Sequence, residues 1–258
     1  MTRIALPSLC LTVLCALAGH AAAQPLITDD TFTQGQGGRQ LELLYSDERA
    51  RQASVVGRSR AIDAIYTLGL TEEVDVFAAG VYRSLKSPDI GSSSGGGNLV
   101  LGLKWRAWAQ QSGGLSLALK PELILPVSAS REAADLGTGR TSYGLTAIAS
   151  QETFFGAVHV NVGLGRERFR QSQDNELRRY SVAPVWDIDD AWRLALDVGH
   201  QFSKGADGLR LRMRFVEISA SYSPNKNQDW VLGLNRSQEN DNPRTTSRTL
   251  TGGWTWRF

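Results

Sequence analysis

The sequence predicts an all-β fold: a closed antiparallel up-and-down transmembrane β-barrel of about twelve strands. Three observations predict it. Apolar residues recur with period two along most of the chain, the connections alternate between short and long, and the last strand ends on Trp254-x-Trp256-x-Phe258.

The first residues read as an export signal. Arg3 precedes an apolar stretch, Ile4 to Ala18, which closes on Ala21-Ala22-Ala23 before Gln24. A cation, a short apolar core and a small-residue cleavage site form a secretory signal, and the stretch is too short to span a membrane. Residues 1–23 are therefore expected to be the signal, 24–38 an extended lead-in and 39–258 the barrel. Both cysteines, Cys10 and Cys15, fall within the signal, so the exported chain has no disulfide, thiol chemistry or Cys-based zinc site. Leu9 and Leu14 precede them where a lipid-modified Cys needs a small residue, which argues against lipidation.

Composition leaves the decision to residue order. Lys+Arg is 28 against 26 for Asp+Glu, and no basic run forms, so a nucleic-acid partner is not expected. The chain is 41% hydrophobic, yet no segment after the signal approaches the length of a transmembrane helix.

Taken in order, weak alternation runs near Gln40–Asp47, Arg58–Leu70 and Val74–Leu85. Leu99, Leu101, Leu103, Trp105 and Ala107 then oppose Gly102, Lys104 and Arg106. The clearest strand sets Leu115, Leu117, Leu119, Pro121, Leu123, Leu125 and Val127 against Ser116, Ala118, Lys120, Glu122, Ile124 and Pro126. A helix would scatter Lys120 and Glu122 onto the apolar side; a half-buried strand separates them. A weak copy at Thr141–Gln151 precedes Val158, Val160, Val162 and Leu164, which oppose His159 and Asn161. Arg178–Ile188 is again weak. Trp192, Leu194, Leu196 and Val198 oppose Arg193 and Asp197, Arg212–Tyr222 is weak, and Trp230, Leu232 and Leu234 follow. Leu250, Gly252, Trp254, Trp256 and Phe258 oppose Thr251, Gly253, Thr255 and Arg257.

Short turns are expected at Thr71–Glu73, Gln110–Gly114, Glu152–Thr153, Asp189–Asp190 and Pro224–Gln228. Longer polar loops are expected at Glu48–Gly57, Lys86–Gly97, Ser128–Arg140, Arg168–Leu177, Ser203–Leu209 and Gln238–Thr246, with Ser92–Gly97 a flexible tip and Asn240–Pro243 a turn cluster. Short turns at one rim and long loops at the other are the pattern of an outer-membrane barrel with both termini on the periplasmic side.

A soluble β-sandwich also alternates, but its strands average about five or six residues and its polar faces meet bulk water. Here the strands are about ten residues long, the length a tilted strand needs to cross a membrane. The polar faces mix Gly, Ala and Ser with isolated charges of both signs, as a lumen does. Tyr66, Tyr82, Trp105, Trp186, Trp192, Tyr222, Trp230 and Trp256 sit near strand ends, where an interfacial girdle lies.

Several motifs resemble one family. Pro25-Leu26-Ile27-Thr28-Asp29-Asp30 resembles the PL-x-TDD opening of an outer-membrane β-barrel family labelled as transporters of the meta pathway of phenol degradation. Tyr66–Thr71 is similar to its YGLT strand end, Gly102–Trp105 to GLKY, and Ala118–Leu123 with Leu125-Pro126 to ALKPEL and LP. Gly137–Thr141 is similar to its G-x-G-x-T/D loop and His159–Gly163 to HLNLG. The chain departs at Gly97-Asn98, where the family has Gly-Asp, and at Pro126-Val127-Ser128, where it has Pro-Thr-Gly. The resemblance implies passive passage of small molecules, aromatic or apolar ones among them, and a terminal strand read by the barrel-assembly machinery. Trp254, Trp256 and Phe258 would be that signal.

Candidate pore-lining residues are Glu42, Asp63, Lys104, Arg106, Lys120, Glu122, His159, Asn161, Arg193 and Asp197, all on polar faces. Such a mixed-sign set either tunes which solutes pass or pairs internally and holds a filled barrel rigid. Thr28, Asp29 and Asp30 are gate candidates, expected to fold into the periplasmic mouth and meet cations such as Arg106 or Arg257. Two other function classes remain: a structural or adhesive barrel with partner-binding loops, and a membrane-embedded hydrolase. Only His159 and His200 follow the signal, with no Ser assigned beside either, and a serine nucleophile needs its base within hydrogen-bond reach. With two scattered His and no Cys after the signal, only the acidic pairs Asp29-Asp30, Glu72-Glu73 and Asp189-Asp190 remain, and the last two occupy tight turns, so no metal or cofactor is expected. The expected partners are outer-membrane lipid, the assembly machinery and an unidentified small solute.

Overall fold

The computed structural model describes residues 26–88, 91–110, 114–206, 208, 210–240 and 243–258. The expected signal at 1–23 lies outside them, as do Gln24 and Pro25 of the lead-in and parts of four connections. The strands are β1 (Arg39–Gln52), β2 (Val55–Gly69), β3 (Val74–Ser87), β4 (Gly91–Gly96), β5 (Val100–Ala109) and β6 (Leu115–Ile124). One short helix, α1 (Ala129–Ala133), precedes β7 (Ser142–Thr153), β8 (Gly156–Glu167), β9 (Asn175–Asp187), β10 (Trp192–Gly205), β11 (Arg210–Asn225), β12 (Gln228–Glu239) and β13 (Thr245–Arg257).

Neighbouring strands pair antiparallel, and β1 closes the sheet on β13 from Gln40↔Arg257 to Gln52↔Thr245. Closure leaves no open edge along the spanning wall, which lipid requires. The thirteen segments make a twelve-stranded wall, because β4 and β5 both pair with β3 and are two halves of one strand. The break falls at residues 97–99. A Cβ on Gly97 would lie 2.7 Å from Val81 Cγ1 and 2.8 Å from the Leu136 carbonyl oxygen, so only glycine lets the chain turn there. Asn98 then turns toward the long loop. Its amide donates to the Leu125 and Thr138 carbonyls at 2.7 and 2.9 Å and accepts from Thr138 N at 2.8 Å.

The alternation sorts faces as lipid requires. Leu115, Leu117, Leu119 and Leu123 are exposed on the outside, while Ala118 between them is buried. Trp192, Tyr222, Trp230, Trp256 and Phe258 ring the outer surface near the rim that carries the short turns and both chain ends. Trp256 packs on Phe258 with ring centroids 4.8 Å apart, and Thr255 on the opposite face is fully buried.

Four expectations need correction. The strand expected to reach Val127 ends at Ile124; Val127 is buried under the long loop, its N–H donating to the Thr138 carbonyl at 3.0 Å. The connections at Glu48–Gly57 and Lys86–Gly97 are not loops but hairpins that carry the ladder onward, and the glycine-serine tip is β4, with Ser94 opposite Ser84. Beyond the membrane nothing demands an apolar face, so pairing persists where the period-two signal ends. The turn expected at Glu152–Thr153 sits at Phe154-Phe155, whose aromatic side chains disguised it as strand. Within Ser128–Arg140 the chain forms α1, capped by Ser128 accepting from Arg131 N.

Candidate functional site

The lead-in enters at the rim and crosses the lumen. It is pinned where Gly37 N donates to the Gly69 carbonyl and Gly69 N donates to the Gly38 carbonyl, at 2.9 and 2.8 Å. A Cβ at Gly69 would fall 1.8 Å from the Gly35 carbonyl oxygen, so this close approach depends on glycine. From there Gln34 N donates to the Asp75 carboxylate of β3, at 3.1 and 3.0 Å from its two oxygens. Thr31 N donates to Ser150 Oγ of β7 at 3.1 Å, and its hydroxyl lies 2.5 Å from Ser116 Oγ of β6. On the far wall Thr28 Oγ1 lies 2.6 Å from Ser181 Oγ and 2.7 Å from Asp197 Oδ1, while Thr28 N donates to Asp197 Oδ2 at 2.8 Å. Within a few residues the segment touches walls from β3 round to β10.

Asp29 is the electrostatic centre. Its carboxylate bridges Lys104 Nζ at 2.7 Å and Lys120 Nζ at 2.9 Å. Asp30 adds a contact to Lys104 at 3.5 Å, and Lys120 also meets Glu122 at 3.5 Å and sits 4.8 Å over the Phe77 ring. The Asn161 amide clasps the Asp29 backbone, donating to its carbonyl at 2.9 Å and accepting from its N–H at 2.6 Å. Burial works against ionising Asp29, but the two ammonium groups outweigh it and hold the carboxyl below the usual carboxylate range.

Two adjoining cavities lie on the outer side of the lead-in, and the first contains this contact. One of about 350 Å³ is lined by the lead-in itself with Glu42, Phe77 and Lys104. The other, about 770 Å³, lies beneath the loop that carries α1 and shares Leu44, Ile65, Ala79 and Val100 with the first. Val81, Ile124, Leu136 and Phe169 extend its apolar lining, and Asp63, Arg83, Glu132, Asp135 and Glu167 add charge, mostly from the loops above.

Of the sequence-nominated residues, Lys104, Lys120, Glu122, Asn161 and Asp197 gather round the lead-in. Glu42 lines the smaller cavity and accepts from Gln40 Nε2 at 2.8 Å. Asp63 stands apart in the larger cavity. Arg106 and Arg193 belong to the rim: Arg106 donates to the Glu72 carbonyl at 2.7 Å, and Arg193 pairs with Asp187 at 2.9 Å. The expected gate partners need correction. Asp29 meets Lys104 and Lys120, whereas Arg257 pairs with Asp229 at 2.5 Å and takes the Gln40 side-chain oxygen at 3.0 Å. Arg106 and Arg257 lie too close to the rim for a segment that penetrates to mid-lumen.

The statement that no Ser stands beside His159 also needs correction. Ser150 Oγ lies 2.8 Å from His159 Nδ1. The pair is sealed, with Ser150 3% and His159 5% exposed, and the Ser150 oxygen already accepts from Thr31. It anchors the lead-in. Sequence reasoning missed Ser116, Ser150, Ser181 and Asp75 because a small polar residue on a lumen face carries no pattern of its own.

The family described as "Putative MetA-pathway of phenol degradation" matches residues 23–254. Among solved structures, the chain is similar to an outer membrane channel from Pseudomonas putida F1, with a TM-score of 0.71, 14% identity, and coverage of 89% of this chain and 98% of that one. It is similar also to the β domain of the Bordetella autotransporter BrkA (TM-score 0.56, 11% identity, 86% and 100% covered) and to the CymD monoaromatic hydrocarbon channel (TM-score 0.50, 12% identity, 87% and 90% covered). At these identities the likeness concerns the fold. No curated protein matches the chain by sequence.

Proposed function

The chain belongs to this phenol-degradation family of bacterial outer-membrane β-barrels, and from that premise we propose that it is a passive channel for small apolar or aromatic molecules, gated by its own lead-in. The observation that carries the reading is the apolar strand wall of the cavity of about 770 Å³, which adjoins the smaller cavity around Asp29 through Leu44, Ile65, Ala79 and Val100. Porin lumens are polar, yet here Leu44, Ile65, Ala79, Val81, Val100 and Ile124 face inward. A cavity of about 150 Å³ lined by apolar groups already takes up benzene, so this one has room for a substituted ring. Of the similar structures, one is an outer membrane channel, which supports passage, and CymD is a monoaromatic hydrocarbon channel, which supports the cargo class.

In this mechanism a solute enters the outer cavity by apolar contact and waits above the lead-in. Displacement of Asp29 from Lys104 and Lys120 opens the path toward the periplasm. No energy source is needed, since the gradient drives passage. The terminal strand, with Phe258 at its end, serves as the feature read by the assembly machinery. The test is uptake of a monoaromatic compound by cells lacking the endogenous protein and supplied with wild type or Val100→Arg. Wild type should restore uptake and the variant should lose most of it while assembling normally. Equal uptake by both would refute the cargo assignment.

A further inference from the structure

The outer surface carries a one-sided band of arginines for which the channel function has no use. Arg236 on β12, Arg248 on β13, Arg49 on β1 and Arg58 on β2 stand directly opposite one another in consecutive strand pairs. Arg214 on β11 extends the band at one end, and Arg60 lies on the same strand as Arg58, two residues nearer the short-turn rim. Their parity puts them on the face of the exposed Leu234 and Leu250, outside the barrel. Like charges directly opposed across a sheet are destabilising. Asp47 engages Arg58 and Arg60, but Arg236, Arg248 and Arg49 make no ion pair among the described residues.

The height of the band identifies what completes it. Counted from the short-turn end of its strand, each of Arg49, Arg58, Arg214, Arg236 and Arg248 lies eight to eleven residues up. At about 3.3 Å per residue and a tilt near 40°, that is roughly 20–28 Å, the top of an apolar band about 25 Å tall. The cations therefore sit at the outer-leaflet headgroups. Around the rest of the barrel the corresponding surface carries no second run of opposed cations among the described residues: Leu99, Leu123, Tyr143 and Phe202 are exposed there, Arg166 is paired with Asp174 at 3.4 Å, and Arg178 on β9 stands opposite Phe202. A surface cavity of about 800 Å³ touches the band and mixes Val198 and Val216 with Arg214 and Arg236, a surface for acyl chain beside phosphate.

We propose that the face formed by β11, β12, β13, β1 and β2 binds the phosphorylated glycolipid of the outer leaflet, lipopolysaccharide, with its phosphates between Arg49, Arg236 and Arg248. Guanidinium forks suit phosphate, and the anion turns a repulsive row into a bridged one.

The test uses the whole barrel extracted from outer membranes in mild detergent, with bound lipid read by native mass spectrometry. Wild type should retain lipopolysaccharide, and the Arg49→Gln, Arg236→Gln, Arg248→Gln triple variant should retain about tenfold less at unchanged conductance. Equal retention by the two proteins would overturn the proposal. So would equal retention of added phosphatidylglycerol, because the site would then read any anionic lipid. If the triple variant does not assemble, wild type is titrated with intact and dephosphorylated lipopolysaccharide. Loss of binding on dephosphorylation supports the site, and equal binding overturns it.

Discussion

The Asp29 carboxylate lies 2.7 Å from the Lys104 ammonium, and this contact joins a segment that precedes the barrel to the middle of its wall. Lys120 closes the same carboxylate from the next strand at 2.9 Å. Removing the carboxylate leaves two neighbouring ammonium groups without their shared counter-ion, and breaking a buried pair from one side costs about 3–5 kcal/mol. Asp29→Asn is therefore expected to loosen the lead-in while the barrel stays folded. Proteolysis of the reconstituted protein near residues 26–36 should become much faster, and an unchanged rate would show that the ion pair does not hold the segment.

The pH dependence follows from the same pair. Because the Asp29 carboxyl titrates below its ordinary value when docked, docking is favoured above the free-carboxylate value and weakens as pH falls through the docked one. Acidification to about pH 4, where free Asp is half protonated, should leave the channel closed, with opening only at lower pH. Conductance recorded against pH checks the sign. Opening in the neutral range would contradict it.

Asn98 ties the strand break to the loop over the outer cavity through three hydrogen bonds. At about 1 kcal/mol each, Asn98→Ala should cost roughly 2–3 kcal/mol and free the loop before the barrel. Hydrogen exchange concentrated in residues 125–140 is the expected readout, and uniform exchange would count against a local role.

Phe258 packs against Trp256 and lies 6.4 Å from the Tyr66 ring across the closing seam. Phe258→Asp places a charge on the lipid face beside that seam. Its folded fraction in outer membranes, read from heat-modifiable gel mobility, should fall severalfold. Normal assembly would argue that the aromatic end is dispensable.

Fold and compartment were legible because lipid imposes period two on every spanning strand, and the Leu115–Leu123 run shows it plainly. The weak strands held information that alternation alone could not release. Around β2 and β3 the pattern blurs because Ile65, Phe77, Ala79 and Val81 face inward as apolar residues opposite an apolar outer face. That blur is the sequence trace of the apolar lumen. Lys104, Lys120, Asn161 and Asp197 were legible as lumen residues from parity. Their convergence on Thr28 and Asp29 was not, because it depends on how far the lead-in reaches, which no local pattern encodes. Glycines at 69 and 97 mark the two close approaches, and in sequence they look like any strand glycine.

Single-channel conductance of the protein in planar bilayers, with and without residues 26–36, tests the gate most directly. Small or absent conductance is expected from the intact chain, and a severalfold larger, steady conductance from the shortened one. Equal conductance from two folded proteins would contradict the lead-in as gate.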